Sequence, residues 1–138
     1  MFTRILLAAD GSEHSFRAFQ QAIGLLKNRQ GTIDIVYVVS GTASKYDVLH
    51  HNSKEEIKKD RKEKLHGFEE ELTKRQIHHD VHILHGEPGE IIVEFANENN
   101  YDFVVVGSRG LNKLQSFVLG SVSHKIAKRV MAPVLIVK

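Results

Sequence analysis

The chain has no cysteine. That absence excludes a disulfide framework, a thiolate metal site and a cysteine nucleophile, and it is compatible with a reducing cytoplasm. There is no tryptophan either, and the 19 Lys and Arg are interleaved with 17 Asp and Glu instead of forming a block. Proteins that hold nucleic acid carry a basic stripe with stacking aromatics, so no nucleic-acid partner is expected. No apolar run approaches the ~20 residues that cross a bilayer. The first, Ile5 to Ala9, is halted by Asp10 and Gly11 and is too short for a signal peptide. Together these absences point to a soluble intracellular domain with no membrane partner.

What is present is a strand–helix alternation. The 138 residues suit one domain over 1–138 that can bury a continuous core. Four apolar runs rich in β-branched residues stand out: Ile5 to Ala9, Ile33 to Val39, Phe103 to Val106 and Val134 to Val137. A weaker run, Val81 to Leu84, includes a histidine. Unbroken hydrophobicity suits strands of a parallel sheet covered on both faces. Between the runs the apolar spacing becomes helical: Phe16, Phe19, Ile23 and Leu26 behind a Ser12 cap, with Gly31 closing the region. Ile57, Leu65, Phe68 and Leu72 follow within a charged stretch from about Lys54 to Gln76, where Glu55–Lys59 and Glu70–Lys74 are spaced as i,i+4 pairs. A third helix follows Glu87-Pro88-Gly89, with Ile91, Ile92, Phe95 and Ala96 inward. A fourth opens at Ser121, with Val122, Ile126 and Val130 on one side, and stops at Ala132-Pro133. Right-handed crossovers then give an α/β fold, one doubly wound five-stranded parallel sheet in the order 3-2-1-4-5 with helices on both faces. Its switch point lies at the C-terminal tips of strands 1 and 4.

The segment at that point is the most informative in the chain. Val104-Val105-Val106 runs into Gly107-Ser108-Arg109-Gly110, and nine residues later comes Gly120-Ser121 at a helix start. Glycine admits close backbone approach, and unpaired amides at a helix start attract anions. The pattern lacks the Gly-Lys-Ser/Thr of a Walker A loop and the G-x-G-x-x-G of a dinucleotide fold. It resembles the universal stress protein family, specifically the ATP-binding branch, whose loop reads G-x-x-G, nine residues, G-S/T. Gly107, Gly110, Gly120 and Ser121 match every fixed position, and the resemblance extends over essentially the whole chain.

The resemblance implies an adenine nucleotide alpha hydrolase-like fold that binds ATP, with Mg2+ or Mn2+. In that scheme Asp10 contacts the ribose, and the backbone near Val38 reads adenine between Ala8, Ala9 and Val106. Gly107 and Gly110 present amides to the phosphates, Gly120, Ser121 and Val122 supply the helix start, and Arg109 adds a cation. Asp10 is equally suited to an Asp-Gly turn, and Ser121 to capping its helix; Ala8, Ala9, Val38 and Val106 equally suit a plain core, and Arg109 an exposed surface position. The Gly86-Glu87-Pro88-Gly89 turn resembles a family loop near the ribose-phosphate rim, or simply starts a helix. The family further implies a cytoplasmic stress-response protein, a homodimer paired through the last strand, at most slow ATP hydrolysis and an unidentified downstream partner. The competing classes are a true ATPase or nucleotidyl-transferring enzyme, for which no general base is evident, and a nucleotide-free structural dimer. The nine histidines do not form a metal site by spacing, since His82 projects opposite to His79 and His85 on a strand. Asp10, Ser12 and His14 are too near in sequence to converge as a hydrolase triad.

Overall fold

A strand buried on both faces needs side chains that tolerate having no polar neighbour on either side, and that is what the apolar runs supply. The computed structural model describes residues 4–10, 12–26, 30–39, 54–108 and 120–138, the side chains of 54–62 and 64 excepted. Five strands form: β1 (Arg4–Ala9), β2 (Thr32–Val39), β3 (His78–His85), β4 (Phe103–Gly107) and β5 (Val134–Val137). They pair in the order β3-β2-β1-β4-β5, every pair parallel. This is the expected sheet. Among the described residues four helices cover it: α1 (Glu13–Leu25), α2 (Lys54–Lys74), α3 (Pro88–Glu98) and α4 (Ser121–Arg129).

Strand side chains alternate between faces, so the sheet separates two apolar cores. Ile5, Leu7 and Ala9 of β1 join Ile33, Ile35, Tyr37 and Val39 of β2 beneath α1 and α2. Leu6, Ala8, Val36, Val104 and Val106 pack on the other side, with Ile92 and Ala96 of α3 and Ile126 of α4. Leu65, Phe68 and Leu72 of α2 are buried as the spacing predicts. Each such side chain contributes about 1.5–3 kcal/mol on leaving water. Ile57 and the Glu55–Lys59 pair lie outside the described side chains. On the outer surface of α2, Glu70 approaches His66 at 3.6 Å and Glu71 binds Arg75 at 2.6 Å.

Several helix details differ from the reading of the sequence. Phe16 is 50% exposed, whereas Phe19 and Leu26 are buried as expected, and α1 also buries His14, Ser15, Ala18 and Ala22. Phe16 lies over Phe68, ring centroids 6.3 Å apart. The helix ends at Leu25 with Leu26 as its C-cap, well before Gly31. In α3 it is Gly89, Ile92 and Ala96 that are buried; Ile91 and Phe95 are only partly covered. No described helix is long and apolar enough to cross a membrane.

The N-terminal end of the sheet holds a polar cluster. The Asp34 carboxylate, in the middle of an apolar strand, is buried and accepts a hydrogen bond of 2.6 Å from the Tyr101 hydroxyl. Arg4 lies over the Tyr101 ring at 4.7 Å and within 3.8 Å of Asp34. Burial, together with the Asp34 carboxylate, pushes the Tyr101 hydroxyl well above the usual phenol range. His82 comes within 3.8 Å of Asp34 and lies against Phe95. Arg4, Asp34, His82 and Tyr101 thereby join the starting ends of β1, β2 and β4 to β3.

Candidate functional site

The opposite end of the sheet carries the residues singled out by the sequence. β1 and β4 are neighbours, and their last paired positions are Ala8 and Val106. Asp10 and Ser108 follow directly after the last residues of these two strands, at the switch point. The Asp10 carboxylate accepts from the Ser12 amide at 2.9 Å, the local Asp-turn that its sequence allows. Its own amide donates to the Ser15 hydroxyl at 3.2 Å. Ser12 is the N-cap of α1, as expected, accepting from the Ser15 amide at 3.1 Å. One oxygen of Asp10 is thus engaged in shaping the turn, and the side chain remains half-buried at the rim.

The first turn of α1 also reaches the tip of β4. A Cβ on Gly107 would stand 2.8 Å from the Cβ of His14 and 2.9 Å from its carbonyl carbon. Glycine here lets a helix, rather than only a ligand, approach the strand. Ser108 follows, buried, with its Oγ 3.3 Å from Nδ1 of the buried His14. Its amide donates to the Val137 carbonyl at 2.7 Å, so that donor is already committed. Its carbonyl accepts from the Gly120 amide at 2.9 Å and from the Ser123 hydroxyl at 2.8 Å. The start of α4 is therefore fastened directly to the end of β4.

That helix start is unlike the other two whose capping is described. α1 is capped by Ser12 and α3 by Glu87, whereas the N-cap of α4 is Gly120, which has no side chain to offer. Ser121 is the first helical residue and not the cap; it is exposed. The amides of Ser121, Val122 and Ser123 open the helix, and the macrodipole adds partial positive charge there.

The remaining predicted residues divide by face. Ala8, Val106, Val38 and Val122 all belong to the α3–α4 side. Ala9 points to the α1–α2 side, so from there only its backbone is directed along the β1 edge. Arg109 and Gly110 lie outside the described residues. The structure thus brings Asp10, Gly107, Gly120 and Ser121 to one end of the sheet, with Ala8, Val38, Val106 and Val122 lining one face. The sequence reading missed His14, Ser108, Ser15 and Ser123, which bind these pieces together. Ser108 was adjacent to the glycines throughout; nothing in its local pattern distinguishes a junction from a loop serine.

The Gly86-Glu87-Pro88-Gly89 turn starts a helix. Gly86 has φ +142°, a conformation that side chains rarely adopt. Glu87 accepts from the amides of Gly89 at 3.1 Å and Glu90 at 2.7 Å. Lys125 of α4 stands 3.4 Å from it. Partial burial raises the Glu87 carboxyl, but the two amides and Lys125 outweigh that, so it titrates below the usual carboxylate range. Among the described residues no group of three or more His, Asp or Glu side chains gathers as a metal site.

A doubly wound parallel sheet with this strand order defines the Rossmann-like α/β class, whose ligand crevice lies at the switch point. Within that class, the Universal stress protein family model matches residues 1–138. The chain belongs to that family. It is 32% identical over 148 residues to the universal stress protein YxiE of Bacillus subtilis (strain 168), covering 100% of both chains. Among solved structures it is similar to hypothetical protein MJ0577, with 26% identity, a TM-score of 0.88 and coverage of 100% and 96%. A universal stress family protein of Arabidopsis thaliana, solved with AMP bound, shares the fold at 22% identity and a TM-score of 0.71, over 99% of this chain and 91% of that one.

Proposed function

We propose that this chain is an ATP-binding universal stress protein of the cytoplasm, regulatory rather than strongly catalytic. The observation that carries the reading is the α4 start. A helix N-terminus capped only by Gly120 is held against the tip of β4, at the same end of the sheet as Asp10, behind the spacing Gly107-x-x-Gly110, nine residues, Gly120-Ser121. The amides of Ser121 and Val122, with those near Gly110, receive the phosphates. The rim oxygen of Asp10 accepts from a ribose hydroxyl. Ala8, Val38, Val106 and Val122 provide an apolar wall for the base, and backbone groups at Ala9 and Val38 read its edge. Arg109 adds a positive charge for the outer phosphates. Mg2+ or Mn2+ is carried on the phosphates, since Mg2+ commonly binds through phosphate oxygens and water instead of a protein cage. AMP in the Arabidopsis relative is a ligand of the same chemical class.

ATP then acts as an effector: its binding orders the rim and presents a surface to a downstream partner. The protein pairs as a homodimer through β5, the edge of the sheet. The nucleotide reading is tested by thermal unfolding with and without Mg2+-ATP. A ligand at a hundredfold excess over its Kd adds about 2.7 kcal/mol, which is expected as a clear rise in Tm. An unchanged Tm, with no adenine nucleotide released on denaturing the purified protein, refutes it. Incubation with ATP then separates retention of about one equivalent from multiple turnovers.

A further inference from the structure

We propose that Ser108 is a positioning residue of this site, the one that sets where the amide-bearing start of α4 stands relative to the tips of β1 and β4. The inference rests on the nucleotide reading above and assigns its phosphate geometry to a residue outside the glycine pattern. Ser108 is 7% exposed, and its hydroxyl is turned to His14, so it acts through its neighbours. All three of its polar groups are engaged with different elements. The amide holds β5 through Val137 and the hydroxyl holds α1 through His14. The carbonyl holds α4 twice, at Gly120 and at Ser123.

The double bond to α4 is the decisive feature. Gly120 is the cap and Ser123 the third helical residue, so one carbonyl oxygen grips both ends of the first turn. Ser123 is itself buried to 2% exposure. Two attachment points fix the orientation of that turn as well as its distance, which one bond would not. The amides between them, at Ser121 and Val122, inherit that orientation. Hydrogen bonds weaken steeply with misalignment, and those to a charged acceptor are the strongest class. A loosened turn therefore weakens contacts to phosphate most, while Ala8, Val38 and Val106, the strand part of the apolar wall, stay where they were.

The experiment compares ATP and adenosine by calorimetry on the full chain and on Ser123→Ala and Ser123→Thr. Urea unfolding reports folding of each variant. The grip on α4 is made by the Ser108 main-chain carbonyl, so the variants remove or keep its side-chain partner; Ser123→Ala keeps the Gly120 bond and all backbone pairing. The expected result for Ser123→Ala is about a tenfold loss of ATP affinity, the scale of one hydrogen bond to a charged group, with adenosine losing far less, since only Val122 of its wall sits on that turn. Ser123→Thr, which keeps the hydroxyl, restores ATP binding. If both ligands weaken equally, or if ATP affinity in a folded Ser123→Ala variant equals that of the unaltered chain, the positioning role is overturned. If the unaltered chain binds adenosine or ATP not at all, the nucleotide reading fails first and takes this inference with it.

Discussion

Gly107 serves two demands at once. In the sequence it is the first glycine of the G-x-x-G pattern on which the proposed nucleotide reading rests. In the folded chain its missing Cβ makes room for the first turn of α1, whose His14 backbone lies at 2.9–3.0 Å from where that atom would be. Those neighbours are main-chain atoms and cannot swing aside. Gly107→Ala should therefore destabilise the protein by about 1–3 kcal/mol, the range for overpacking a tight core, whether or not ligand is present. A urea midpoint unchanged from that of the original chain would show that α1 yields more easily than its packing indicates. Asp34 presents the converse. A lone acid in the run Ile33 to Val39 was a visible anomaly, because a carboxylate buried on a two-sided strand must find partners. Its partners Tyr101 and Arg4 are 67 and 30 positions away, too remote for local pattern to name.

At the scale of elements, the helix starts are where sequence and structure agree best and differ most usefully. Ser12 was legible as a cap because its residue type and place before an apolar stripe are sufficient. Glu87 was not, since glutamate seldom caps; Pro88 at the first helical position and the sharp turn at Gly86 bring its carboxylate over the amides. The direction of its titration fixes a pH dependence. A carboxyl whose folded-state value lies below its unfolded value adds stability above the unfolded value, about pH 4.3 for glutamate. That stability is lost as pH falls through the folded value. Glu87→Gln should accordingly lower the urea midpoint between about pH 7 and pH 5, and the difference from the original chain should close on further acidification. Half of the Glu87 side chain is exposed, so added salt should shrink the Lys125 share of the difference. A gap that persists undiminished at low pH would place the effect in packing instead.

For the molecule as a whole, the sheet order was readable because continuous apolar runs, helical stripes and right-handed crossovers leave few arrangements. The distribution of the inner faces was less so: α1 was expected to bury Phe16, which lies exposed over Phe68, and it buries Ser15 and Ala18 besides the expected Phe19. Among the described residues the sheet ends at β5, with no strand paired to its outer side. The carbonyls of Pro133 and Val137 are turned to β4, so by alternation the peptide groups of Val134 and Ile136 face outward. All four β5 residues are half-buried, and an outward row of strand peptide groups is a template for another strand. Ile136→Pro removes an outward N–H without touching the ladder to β4. Sedimentation should find a dimer for the unaltered chain and a monomer for a folded Ile136→Pro variant. A monomer in both would assign the edge no pairing role.

The sidedness of β1 has a consequence for how such a chain tolerates change. Ile5 through Ala9 contribute alternately to two separate interiors, with Ala8 serving one and Ala9 the other. Exchanging one aliphatic for another alters a single wall. Inserting or deleting one residue ahead of Asp10 would invert every inside–outside assignment along the strand and rotate the acid away from the rim. Tolerance to replacement and intolerance to frame are thus built into the same five positions.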